Sequence, residues 1–160
     1  MKYLSIKLTF VFLGIATFAG AQNVITLAGD PTGVASGSTN NATGTTARFT
    51  NPYGVVADYF GNVYVADNGN NLVRKIVVAT TAVTTLAGSG VAGNNNATGT
   101  TATFNGPDGI AADGSGNLYV SDGQGHEIRK IVIASATVTT LAGSPLTTGH
   151  ADGTGTAATF

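Results

Sequence analysis

Apolar residues in this chain come in short bursts, set apart by clusters of Gly, Asn, Asp and Thr. Within residues 52–88 the bursts are Gly-Val-Val-Ala at 54–57, Val-Tyr-Val-Ala at 63–66, Leu-Val-Arg-Lys-Ile-Val-Val at 72–78 and Val-Thr-Thr-Leu-Ala at 83–87. Runs of this length, rich in β-branched residues and bounded by turn formers, predict strands, and no helical period of useful length interrupts them. Four strands are expected, at 53–58, 62–67, 72–78 and 83–88. The first turn, Asp58-Tyr-Phe-Gly61-Asn62, pairs an aspartate that can bond its own backbone with a glycine, Gly61, suited to positive φ. Turns also fall at 68–71 and 79–82. Four adjacent strands joined by short turns make an antiparallel meander.

The same pattern then returns. Residues 49–88 align with 104–143 without a gap, and 21 of 40 positions are identical. The matching first turn is Asp113-Gly-Ser-Gly116-Asn117. A fixed long period marks a repeated supersecondary unit. The first two strands of each unit show no clean polar face, as a sheet covered on both sides would read. Repeated four-stranded meanders covered on both faces are β-propeller blades, which makes the expected fold all-β. Blade one is placed at 52–88 and blade two at 107–143. Residues 23–29 match the fourth strands at 83–88 and 138–143, so they read as an orphan outer strand that would complete the last blade of a ring. Residues 144–160 match the approach to blade two and read as the start of a third repeat. Propellers have about four to eight blades, so the chain is expected to be an N-terminal fragment carrying an incomplete ring.

The consensus of the two units is Pro-x-Gly-(Val/Ile)-(Val/Ala)-Ala-Asp, then Gly-Asn-(Val/Leu)-Tyr-Val-x-Asp, then in the first copy Asn70-Asn71-Leu72-Val73-Arg74-Lys75-Ile76. It resembles the NHL repeat, a family named for an Asn-His-Leu tripeptide at the second turn. Here that tripeptide is Asn70-Asn71-Leu72 in one copy and Gly125-His126-Glu127 in the other, so the strand pattern carries the resemblance more than the naming motif does. The resemblance implies a propeller of about six blades and, in exported bacterial proteins, a non-catalytic binding or cell-surface interaction scaffold. It also implies an alternative, since lactonase-like and lyase-like propellers are metal-dependent enzymes; their ligands would lie mostly in blades beyond residue 160.

The N-terminus sets the compartment. Lys2 and Lys7 precede an apolar run at 8–18, and Ala19-Gly20-Ala21 supplies a small-x-small site before Gln22. This is the pattern of a secretory signal peptide over 1–21. The run is shorter than the roughly 20 apolar residues that span a bilayer. The expected location is secreted, periplasmic or at the cell surface, with no membrane span after cleavage. The 139 residues that follow carry five basic side chains against eight acidic ones, a net charge of −3. Scattered cations do not provide the basic stripe that displaces counterions from nucleic acid, so nucleic acid is excluded as a partner. Cysteine is absent, so no disulfide framework supports the fold despite the exported setting.

Candidate chemistry lies in the loops. The connections from a fourth strand to the next first strand are long and polar, and they place Asn41, Asn96 and Asp152 at equivalent positions. With Asn70, Asn71 and His126 at the second turns, they form a loop face on which a protein or carbohydrate ligand is expected. One reading is a ring of oxygens around the axis that takes a cation or a sugar; the other is that Asn and Asp shape their own turns, which the recurrence favours. Asp67 and Asp122 end second strands. Such carboxylates could hold calcium, a hard cation with oxygen ligands, or could cap their turns, and the recurrence again favours structure. Arg74 and Arg129, each followed by a lysine, read as partners of a carboxylate in their own blade or as edge charges. Gly61 and Gly116 read as structural. His126 and His150 are the only histidines and do not make a zinc site, which takes about three protein ligands. No catalytic residue is assigned. No cysteine nucleophile, Gly-x-Ser-x-Gly elbow or phosphate loop is present. Asn41-Ala-Thr43 and Asn96-Ala-Thr98 have the form of glycosylation acceptors, which matter only where the source modifies exported chains.

Overall fold

The computed structural model describes residues 24–32 and 41–160. The segment read as a signal peptide, 1–21, lies outside the described residues, as does Asn23. Two four-stranded antiparallel sheets form, and strand order follows chain order in each. The first holds β1 (Pro52–Ala57), β2 (Asn62–Asp67), β3 (Leu72–Val77) and β4 (Ala82–Ala87); the second holds β5 (Pro107–Ala112), β6 (Asn117–Asp122), β7 (Glu127–Val132) and β8 (Thr137–Ala142). Every strand of the second sheet starts 55 residues after its counterpart. Register repeats as well: Val65 pairs with Val55 and Arg74, and Val120 pairs with Ile110 and Arg129. Both first strands shift register just after their proline, which has no N–H to give to a ladder. The sheets are β-propeller blades, and they do not close a ring.

The blades meet face to face. Tyr64 and Val73 of the first sheet pack on Leu118, Val120, Ile131 and Val138 of the second, and Phe104, Ala87 and Ala102 complete the seam. Burying each of these larger aliphatic side chains contributes about 1.5–3 kcal/mol, so the seam is the main cohesive element. The innermost strands, β1 and β5, approach so closely that a Cβ on Gly54 would collide with the backbone of Asp108 and Ile110. The other face of the first sheet (Val65, Ile76, Val83) is covered by Ala47 and Phe49 together with Leu27 and Ala28. Apolar side chains elsewhere on the blades remain open: Tyr53 and Val55 on β1 are 67% and 66% exposed, and Leu141 on β8 is 49% exposed. Coverage on both faces, expected for each blade, is therefore reached in part by the first sheet, which lies between the second blade on one side and Leu27, Ala28, Ala47 and Phe49 on the other. Two blades have one mutual interface.

A recurring latch joins successive blades. The chain makes the same 3-10 turn at Gly44–Thr46, Gly99–Thr101 and Gly155–Ala157. The Gly99 carbonyl accepts from the Gly88 N–H at 3.1 Å, while its own N–H donates to the Ala136 carbonyl at 2.8 Å. The end of β4 is thus tied to the start of β8. Gly44 repeats the arrangement, accepting from the Gly29 N–H at 3.1 Å and donating to the Thr81 carbonyl at 2.9 Å. Residues 24–29 form no strand, because no third strand among the described residues is left to ladder with them. Gly29 nonetheless engages the latch as Gly88 does.

Candidate functional site

Antiparallel alternation sorts the connections onto two faces. The β1–β2 and β3–β4 turns emerge on one, the β2–β3 turns and the β4–β5 connection on the other. Apart from Gly61 and Gly116, which lie in the first turns, the residues singled out from sequence belong to the second face, and most of them are engaged in holding the blade. Asp67 ends β2 with its side chain fully buried. Its Oδ1 accepts from the Thr50 N–H at 2.7 Å, and its Oδ2 accepts from Arg74 Nη1 at 3.0 Å and Asn70 Nδ2 at 2.9 Å. Arg74, equally buried, also donates to the Arg48 carbonyl and to Asn41 Oδ1, and its guanidinium lies 5.3 Å from the Phe49 ring centroid. The second blade repeats this with Asp122, Arg129, Asn96, the Thr103 carbonyl and Phe104. A buried charge pair persists only when its remaining hydrogen-bonding capacity is met, and the asparagines help to meet it.

Asn41 also accepts from Thr85 on the outermost strand of its blade, and Asn96 lies 3.3 Å from the equivalent hydroxyl of Thr140. Their oxygens therefore lie away from the axis and point into the blade. Asn71 takes a left-handed φ of 53° and accepts the Gly106 N–H, linking the blades; His126 has the same conformation at 57°. His126 is half-buried and Asp152 is exposed. Gly61 and Gly116 have φ of 81° and 89°, the positive values their turns require. No three His, Cys, Asp or Glu side chains gather as a metal cluster among the described residues; Asp67 and Asp122 each face an arginine of their own blade.

One departure between the copies lies inside this network. Glu127 stands where the first blade has Leu72. It is buried, 3.7 Å from Arg129 Nη1, and accepts from the Thr140 hydroxyl at 2.8 Å. Two carboxylates thus share one guanidinium. Burial pushes Asp122 up to about 6, against the opposing pull of the Asn105 N–H and Arg129, and Glu127 adds to the rise.

The opposite face holds a feature that the sequence reading passed over. A cleft of about 410 Å³ opens between the blades at their first turns, walled by Val56, Ala112 and Ile133. The turns themselves are rigid. Asp58 accepts four hydrogen bonds, from the Phe60 and Asn62 N–H groups, the Asn62 amide and the Tyr64 hydroxyl. Asp113 accepts the same four from Ser115, Asn117 and Tyr119. Burial raises Asp58, but these bonds outweigh it and hold the group below its ordinary value; Asp113, held by Asn117 and the Ser115 N–H, falls to about 2. Burial and the Asp58 bond push Tyr64 up to about 12. At the mouth stand Tyr59 and Phe60, 92% and 83% exposed. The second blade has Gly114 and Ser115 at these positions. In the sequence the only signal is this mismatch between otherwise matching turns.

No protein-family model matches the chain. NHL repeat-containing protein 2 of Bos taurus is 38% identical over 98 residues, and the human protein of that name is 35% identical over 101 residues. The two modules are similar to part of these proteins, which are named for the NHL repeat. The chain spans 14% of the length of each of these curated relatives, with 59% and 61% of its own length matched. The chain also superposes on a crystal structure of a structural genomics protein of unknown function from Bacteroides thetaiotaomicron VPI-5482. There the TM-score is 0.67 at 29% identity, covering 88% of this chain and 33% of that one.

Proposed function

We propose that these NHL repeats belong to an exported propeller that works as a non-catalytic binding scaffold, engaging a protein or carbohydrate through its loop and turn faces. The observation that carries this reading is a division of labour. Polar side chains that recur from blade to blade (Asp67 with Asp122, Arg74 with Arg129, Asn41 with Asn96) are engaged inside the fold. The exposed aromatic pair Tyr59-Phe60, which does not recur, stands beside a cleft. Geometry needed by every blade must repeat, whereas a recognition site need not. Loops on a rigid scaffold are where recognition residues concentrate. The signal-peptide pattern at 1–21 supports export, and no cofactor, calcium included, enters the reading. The test is made on the complete polypeptide. Chelator treatment is expected to leave its melting temperature unchanged, and cell fractionation to find it outside the cytoplasm with residues 1–21 removed. One tightly bound divalent ion per chain that supports lactone or ester hydrolysis would overturn the scaffold reading in favour of the enzyme.

A further inference from the structure

We infer that the cleft between the first turns of the two blades is a binding subsite for a neutral sugar ring, with Tyr59 and Phe60 as its stacking surface and Lys75 as its hydrogen-bond donor. This rests on the scaffold reading and gives that scaffold a ligand class.

The argument begins with what the fold does not require. The turn 58–62 and the turn 113–117 have the same aspartate cap and the same asparagine, so Gly114-Ser115 performs the structural task that Tyr59-Phe60 performs. Two large aromatic side chains at 92% and 83% exposure gain almost nothing for stability. Side chains of that size, placed together at the mouth of an apolar hollow, form a platform for a ligand. The second turn lies against one of them: the Cβ position of Gly114, a residue at φ 71°, is 3.4 Å from Tyr59 Cε2, an ordinary contact distance.

Polar groups in the cleft select the ligand. The carboxylates of Asp58 and Asp113 already accept four bonds each and offer no free lone pair in good geometry. Three side-chain groups remain. Lys75 lines the cleft, and among the described residues its ammonium makes no ion pair. Asn62 and Asn117 each donate an amide N–H to their aspartate; among the described residues no donor reaches either Oδ1. The cleft therefore presents one strong donor, two acceptors and an apolar, partly aromatic wall. Charge argues against an anion, because the single lysine is outweighed by two carboxylates. A pyranose meets these demands together: its hydroxyls both donate and accept, and its axial C–H face is flat and apolar. The volume, about 410 Å³, is on the scale of small-molecule pockets and holds one or two sugar rings.

The experiment uses the complete polypeptide and saturation-transfer NMR with three neutral tetrasaccharides: an α-1,4-glucan, a β-1,4-glucan and a β-1,4-mannan. The test variant is Tyr59→Gly with Phe60→Ser, which installs the second blade's own turn and so keeps the fold; a second variant is Lys75→Met. At least one tetrasaccharide is expected to bind. The turn-swap variant should weaken it tenfold or more with an unchanged melting temperature, and Lys75→Met should weaken it several-fold. Absence of binding by all three, or binding indifferent to both variants, overturns the sugar assignment. Glucuronate oligomers binding better than the neutral glucans would also overturn it. None of these outcomes touches the scaffold reading, which fails instead on metal-dependent turnover.

Discussion

Replacing Arg74 by Met removes the cation from a carboxylate that has no route to water. Asp67 and Arg74 are both fully buried and 3.0 Å apart. In R74M the Asp67 carboxylate keeps the Thr50 N–H and the Asn70 amide and loses its charge partner. Breaking a buried pair by removing one member costs about 3–5 kcal/mol. Part of the loss comes from the guanidinium's position over Phe49, a contribution of about 0.5–2 kcal/mol that the Met side chain replaces in part by packing. Against a total stability of about 5–15 kcal/mol this is about a fifth or more, and at a urea slope of about 2 kcal/mol/M it moves the midpoint down by about 2 M. Asp67→Asn is also destabilising, because its new N–H₂ group faces donors from Arg74 and Asn70. The double variant has no unpaired carboxylate and no guanidinium to oppose the new amide, so its cost should fall short of the sum by about 1–3 kcal/mol. Urea unfolding of the four proteins measures this cycle. A cost below about 1 kcal/mol for R74M, or single costs that simply add, would refute the claim that the pair is buried and mutually dependent.

Further outcomes follow from the same geometry. Gly61→Val and Gly116→Val should each cost about 1–3 kcal/mol, since nothing lies within 4 Å of either Cβ position and the whole penalty is the positive φ. His126→Ala should cost less than about 1 kcal/mol in the same thermal melts, because His126 already carries a Cβ at φ 57°. Gly54→Ala should lower stability more than Gly109→Ala: the first Cβ meets the backbone of Asp108 and Ile110, the second meets the movable Ser121 hydroxyl. For pH, Asp122 binds its proton more tightly folded than unfolded, so its contribution rises as pH falls from above 6 towards 4. Asp58 and Asp113 act oppositely: their stabilisation is present above the ordinary carboxylate value and is lost as pH drops towards about 2. Melting temperature should therefore peak between about pH 4 and 5, and Glu127→Gln should flatten the rise between pH 7 and 5. A monotonic decline from pH 7 downwards would refute the Asp122 assignment.

Residue-level roles were legible in the sequence to different depths. Asp58 and Gly61 could be assigned because a turn is built from neighbours, and their counterparts Asp113 and Gly116 repeat the chemistry. The Asp67–Arg74 pair could be offered as one of two options, since both residues recur and lie on adjacent strands. Asn41 reads from sequence either as part of a ring of ligand-facing oxygens or, as its recurrence favours, as a shaper of its own turn; its oxygen supports an arginine 33 residues away. Loop length and polarity do not say which way an amide points. The cleft was missed because its two walls come from different repeats, and nothing local to either one reports the space between them.

By itself the sequence determined the period, the number and order of strands, the antiparallel meander and the glycines at positive φ, because each follows from side-chain alternation and turn chemistry over a few residues. Only the tertiary structure decided how one blade lies on the next. That contact closes the Tyr64–Leu118 seam, brings Tyr59 over Gly114 and opens the cleft beside Lys75. These depend on the twist of two whole sheets and the depth at which they interlock, a property of packed surfaces that no short stretch of chain encodes.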